Sequence, residues 1–263
     1  MTSSALDIPA QNPTAAAGNP LDPAWLTARN EALTAEPRAR AARNAVTTTD
    51  VEALSLDRGV VNSIDSSVSE RIEDAAVTDQ KHSGRCWAFA GLNVLRARIA
   101  AELGLPELEL SENFVYFHDL VEKSNAFLAR TVRDAARPLD DREVLAGLEN
   151  PIGDGGYWPE FVALVRKYGV VPVWAMPDTD SARNSAAMGQ HLSTVLRRAA
   201  LELRADVAAG RDPGLARRAA LGDAHRILAT HLGVPPTEFV WQYRDKDKDF
   251  VRAGRCTPRE FAA

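Results

Sequence analysis

Cys86 stands where the chain changes from a polar loop to an apolar helix, and that placement limits what the segment around it can be. In QKHSGRCWAFAGLNVLRARIA, Ala88, Leu92, Leu95 and Ile99 recur at steps of four, three and four, which predicts a helix with one buried stripe. Ser83 and Gly84 form the turn that precedes it. Cys86 is thereby placed at a helix N-terminus, where unpaired backbone N–H groups and the helix dipole favour a thiolate. The same amides suit a developing oxyanion, and Gln80, six residues upstream, is the candidate side-chain donor to complete that hole. Taken singly, both residues also fit plainer roles: a cysteine at an apolar helix start as a buried small hydrophobe, a loop glutamine as a solvated side chain.

The 263 residues are 45% hydrophobic and 25% charged, enough for a sizeable globular core. A net charge of −5 argues against binding nucleic acid by overall charge, and Lys and Arg alternate with Asp in RDKDKD, which reads as a solvated loop. No stretch approaches the roughly 18 apolar residues of a membrane span, and the first twenty lack the basic start and apolar run of a secretory signal. The chain is therefore expected in the cytoplasm, without a membrane partner. Cys86 and Cys256 have no metal-ligand spacing to the five histidines, so neither a disulfide framework nor a metal site is expected. No phosphate-cradling loop is present either, and no cofactor is expected.

Residues 1–20, rich in Ala, Ser, Asn and Pro, read as a disordered lead-in to a region spanning 21–263. Asp22 and Pro23 open a short helix in which Trp25, Leu26 and Leu33 are expected to pack. Residues 44–79 read as loops and short strands. Further helices are expected in SENFVYFHDLVEKSNAFLAR, capped by Ser111, in PEFVALVRKYG, ending at Gly169, and over 186–209 and 215–232. PIGDGG and VVPVWAMPDTD read as loop or extended segments.

The string TDQKHSGRCWAFAGLNVLR resembles the active-site signature of papain-like cysteine peptidases in its bleomycin hydrolase or aminopeptidase C form. LELSENFVYFHDLVEKSNAF, DGGYWPEFVALVRKYGVVPVWAMPDT, WQYRDKDKDF and TPREF resemble further family segments, so the likeness runs from about Leu21 to the end. It implies an α+β papain-like fold, represented here mainly by the helical subdomain, with Cys86 as nucleophile and Gln80 as oxyanion donor. It also implies that Gly155 and Gly156 offer backbone groups to an extended peptide substrate, because only glycine lets the main chain approach so closely. Tyr157 and Trp158 are expected to pack. The family implies aminopeptidase activity and a homo-oligomer, a hexamer in the complete enzyme.

The sequence departs from the pattern at His82 and His118, which read as surface or packing changes. Cysteine-peptidase chemistry also needs a histidine base and an orienting Asn or Asp. None of His118, His191, His225 or His231 lies in a segment resembling the family's histidine motif, and each reads as a surface or capping residue. The general base and its Asn are thus not found in this chain, the β-rich half that carries them in the family is expected to be missing, and Pro258 to Phe261 read as the opening turn of a helix. The chain reads as a fragment of a thiol aminopeptidase. The alternative is a catalytically incompetent fragment that serves as an interaction or assembly module.

Overall fold

The computed structural model describes residues 21–67 and 76–263. The lead-in expected over 1–20 lies outside them. The chain divides into two compact units, residues 1–70 and 71–263.

In the first unit, α1 (Pro23–Ala35) begins as its sequence predicts: Pro23 occupies the first turn, and the Asp22 carboxylate accepts the Ala24 N–H at 2.9 Å. Three more helices follow, α2 (Pro37–Thr48), α3 (Val51–Ser55) and α4 (Arg58–Ser63). These replace the loops and short strands expected from residue 44 onward. The reason is local: Asp50 and Asp57 each accept two backbone N–H groups from the turn that follows and so nucleate α3 and α4. Helices of five and six residues are too short to show an apolar period. Trp25, Leu26 and Leu33, expected to pack, are exposed, and none of the four helices carries a buried residue.

The second unit contains α5 (Cys86–Leu103), α6 (Glu112–Arg133), α7 (Arg142–Glu149), α8 (Trp158–Tyr168), a 3-10 turn (Val173–Ala175), α9 (Asp180–Arg183), α10 (Ala186–Ala208) and α11 (Gly214–Leu232). A hairpin of β1 (Phe239–Arg244) and β2 (Phe250–Cys256) and a short α12 (Pro258–Phe261) complete it. Every helix expected in this unit is present. The hairpin, α7, α9 and the 3-10 turn within VVPVWAMPDTD were not foreseen. RDKDKD is solvated as expected, but it also makes the hairpin turn, where the Asp245 carboxylate accepts the N–H groups of Asp247 and Asp249 at 2.9 Å each.

Two apolar clusters hold the unit together. In the larger, α6 packs against α10 and α11 through Phe114, Leu120, Leu128, Leu192, Leu196 and Leu228. In the smaller, the stripe of α5 meets α8 through Ala88, Leu92, Phe161 and Leu164. The start of α6 is fixed by Ser111, whose hydroxyl accepts the Phe114 N–H at 3.0 Å and donates to the Met176 carbonyl at 2.5 Å. One cap thus closes a helix and ties it to the loop 65 residues later.

Glu112, the first residue of α6, is only 4% exposed. Burial, helped by the nearby Glu109 and Asp178 carboxylates and opposed by Arg85, pushes its carboxyl from the usual 4.5 up to about 7. Between those pH values the folded chain holds a proton that the unfolded chain has released, so this group's contribution to stability falls as pH rises, by about 3 kcal/mol across the window. Urea titrations at pH 5 and pH 8 are expected to show that Glu112→Gln removes this part of the fall and is more stable than the parent at pH 8.

Candidate active site

The turn from Gln80 to Arg85 aims the head of α5. Cys86 is the first residue of the helix and is exposed. Arg85 is the N-cap, with φ −98° and ψ 9°, and its side chain makes no cap bond, so it does not occupy the amides at the helix head. The Arg85 side chain instead runs inward and is fully buried. Its guanidinium forks onto the Asp178 carboxylate at 2.6 and 2.9 Å, and its Nε donates to the Ser83 hydroxyl at 2.9 Å. The rings of Phe89 and Tyr116 lie 5.1 and 5.8 Å from the guanidinium carbon.

Ser83 and Gln80 close the turn reciprocally. The Ser83 hydroxyl donates to the Gln80 carbonyl at 2.6 Å, and Gln80 Nε2 donates to the Ser83 carbonyl at 3.0 Å. A carboxamide nitrogen carries two hydrogens, so one N–H of Gln80 remains for another acceptor. The backbone of His82 is strapped to the end of α9 and the segment after it by His82 N–H to Arg183 O at 2.9 Å and Ser185 N–H to His82 O at 3.3 Å. Asp178 is held from both sides: Asn113 Nδ2 donates to the Pro177 and Leu232 carbonyls at 2.8 Å each, and Thr179 donates to the His231 carbonyl at 2.8 Å.

The glycine loop lies against this turn. A Cβ on Gly84 would sit 2.4 Å from the Asp154 carboxylate, and one on Gly156 would sit 2.7 Å from the Trp87 ring. Both glycines are therefore required by close approach. Gly155 has φ +90°, a conformation natural to glycine. The structure thus brings the Gly155–Gly156 loop beside the turn that carries Gln80 and Cys86. Trp87 also meets Phe161 edge-on at 6.4 Å, and Trp158 stacks on Phe161 at 5.5 Å. Tyr157 corrects the expectation that it packs: it is 78% exposed, because the chain turns there into α8 and leaves the ring outside.

Behind the loop, Lys123 forms an ion pair with Asp119 at 2.7 Å. Burial pushes the Asp119 carboxyl up to about 6 against the opposing pull of Lys123.

The histidines are placed largely as expected. His118 packs: its Nδ1 contacts the Phe114 carbonyl at 2.8 Å, its ring lies 4.1 Å from that of Tyr168, and burial lowers its pKa. His231, in the last turn of α11, lies with Nδ1 2.8 Å from the Ser181 hydroxyl. His82, His191 and His225 are exposed. Cys256 is half-buried in β2, and burial, with Glu260 nearby, pushes its thiol pKa up. Among the described residues no cluster of His, Cys, Asp and Glu is arranged to hold a metal ion, and no helix is long and apolar enough to cross a membrane.

Sequence reasoning missed Arg85, Asp178 and Lys123. The Arg85–Asp178 pair spans 93 positions and leaves no local signal. Lys123 was within reach, since Asp119 precedes it by one helical turn, the spacing of a helix ion pair.

A cysteine heading a helix, a Gln turn before it and a Gly-Gly loop beside it, all on a helical scaffold, define a papain-like peptidase fold. The model of the Peptidase C1-like family matches residues 21–263, and the chain belongs to that family. Aminopeptidase C of Lactobacillus delbrueckii subsp. lactis is 38% identical over 232 residues, covering 87% of this chain and 52% of that protein. Human bleomycin hydrolase is 35% identical over 236 residues, with the same two coverages of 87% and 52%. The crystal structure of PepW from Lactobacillus rhamnosis HN001 superposes with a TM-score of 0.84 at 36% identity, covering 92% of this chain and 55% of the other. The chain spans about half the length of the curated relatives it matches.

Removing one partner of a buried ion pair leaves the other charge uncompensated, at a cost of about 3–5 kcal/mol. Asp178→Ala is expected to lower unfolding stability by that amount in denaturant titration. The double variant Arg85→Met/Asp178→Leu is expected to recover most of the loss, because no charge then remains unpaired.

Proposed function

We propose that this chain is the nucleophile-bearing part of a thiol aminopeptidase of the bleomycin hydrolase type. The observation that supports this best is the juxtaposition of an exposed Cys86 at an uncapped helix head, the Gln80 carboxamide on the same turn, and the Gly155–Gly156 loop against Trp87. On this reading the Cys86 thiolate attacks the carbonyl carbon of the scissile peptide bond. The free N–H of Gln80 and the Cys86 amide stabilise the oxyanion. The amine leaves with a proton, and water hydrolyses the thioester to release the acid and restore the thiol.

The chemistry also requires a histidine that accepts the thiol proton. His118 and His231 are engaged in contacts of their own. The relatives are about twice as long as the matched region. The reading assigns the base and its Asn to the part of the family proteins that this chain does not span. The substrate on this reading is a peptide with a free amino terminus. Hexameric assembly and action in the cytoplasm rest on the family resemblance.

An electrophilic aminoacyl probe is expected to label Cys86 and not Cys256 at neutral pH, and the label is expected to vanish in Cys86→Ala; peptide mass mapping reads both. Labelling without turnover of a fluorogenic aminoacyl substrate fits a base held elsewhere. In an assembly that does turn over, Gln80→Ala is expected to lower kcat by about 10²–10³-fold. Full activity of Cys86→Ala in such an assembly removes the proposal.

A further inference from the structure

Lys123 stands at a junction of three elements. From α6 its ammonium pairs with Asp119 at 2.7 Å, donates to the Gly155 carbonyl at 2.7 Å, and lies 5.7 Å from the centre of the Trp87 ring, next to Cys86 on α5. Its side chain is 23% exposed and that of Asp119 only 7%, so these contacts are largely shielded from water and gain strength accordingly. The hydrogen bond to Gly155 joins positions 32 apart in sequence and fixes the direction of one carbonyl in an otherwise irregular loop.

That direction matters for the next residue. In a planar trans peptide unit the carbonyl of one residue and the N–H of the next point to opposite sides. With the Gly155 carbonyl turned inward onto Lys123, the Gly156 N–H points the other way, outward, and among the described residues neither that N–H nor the Gly156 carbonyl has a hydrogen-bond partner. The Trp87 ring closes the other face of Gly156 and admits no side chain there.

We propose that Lys123 is a positioning residue for peptide binding: by holding the Gly155 carbonyl it sets Gly156 as the backbone pair for an extended substrate beside Cys86. This deepens the reading of the Gly-Gly loop as the peptide subsite and rests on it. Lys123 does not touch the reacting atoms, so its loss acts on recognition of an extended peptide and not on the intrinsic reactivity of the thiol. Lys123→Met keeps an unbranched side chain of similar length and removes the charge and the donor, whereas Lys123→Arg keeps charge and donors.

The test uses this chain, its two Lys123 variants and two reagents: a dipeptidyl electrophile that must lie along the loop, and iodoacetamide, which need not. In Lys123→Met, exchange of the Tyr157 amide, which donates to Glu160 Oε2 at 2.9 Å at the end of the loop, is expected to rise about tenfold and alkylation of Cys86 by the dipeptidyl reagent to fall about tenfold, the scale of one hydrogen bond to a charged group. Iodoacetamide alkylation is expected to stay within about twofold, and Lys123→Arg to restore most of both effects. Unchanged loop exchange in Lys123→Met overturns the proposal, and so does an undiminished preference for the dipeptidyl reagent. If the parent chain itself shows no such preference, the peptide-subsite reading fails and the positioning role fails with it. A parent preference that survives in Lys123→Met sinks the positioning role alone.

Discussion

The site geometry depends on one buried fork, Arg85 on Asp178. A guanidinium with no exposed surface is tolerable only if its charge and donors are met, and here two donors go to the carboxylate and a third to the Ser83 hydroxyl. Because Arg85 is both the N-cap of α5 and the residue before Cys86, satisfying it fixes the angle at which the helix head meets the loop. The Ser83 hydroxyl passes that constraint on to Gln80 through the Gln80 carbonyl. The positions of the thiol and of the candidate oxyanion donor therefore follow from one ion pair that touches neither.

Much of the scaffold was legible because its signals are local. Asp22 before Pro23 and Ser111 before the α6 stripe each announce a helix start within four residues, and Gly169 ends α8 as read. The helix that follows Cys86 could be read from its apolar steps alone. What escaped was either too short or too distant. Asp50 and Asp57 cap helices with fewer than two turns, and a charge run concealed the hairpin turn between β1 and β2. In the site, Cys86, Gln80 and the glycine pair could be named in advance, whereas the contacts that aim them join distant positions, Arg85 to Asp178 across 93 residues and Lys123 to Gly155 across 32, and leave no local signal.

The two supports work by different physics. The Arg85 fork is buried and its geometry is bidentate, which gives orientation along with energy. Lys123 is a point charge on a flexible stem, shared between a carboxylate, a carbonyl and a ring face. One sets the direction of a helix; the other sets the direction of a single carbonyl. Gly84 and Gly156 then bring the two surfaces together at distances that no side chain would allow.

The separation of Arg85 from its partner along the chain also orders events in time. Loop-closure entropy must be met before a contact 93 positions away can form, and the loop bearing Asp178 is itself pinned through Asn113 to Leu232, 119 positions further along. During synthesis Cys86 emerges well before Asp178, whose carboxylate orients the helix head. The Gln80–Ser83 bonds can close locally, but the Arg85 fork that sets the helix head has its partner only once the Asp178 loop is held in place, so a half-folded chain carries the Cys86 thiol without that orientation. Coupling the aim of the helix head to contacts made far along the chain in this way delays that orientation until folding is well advanced.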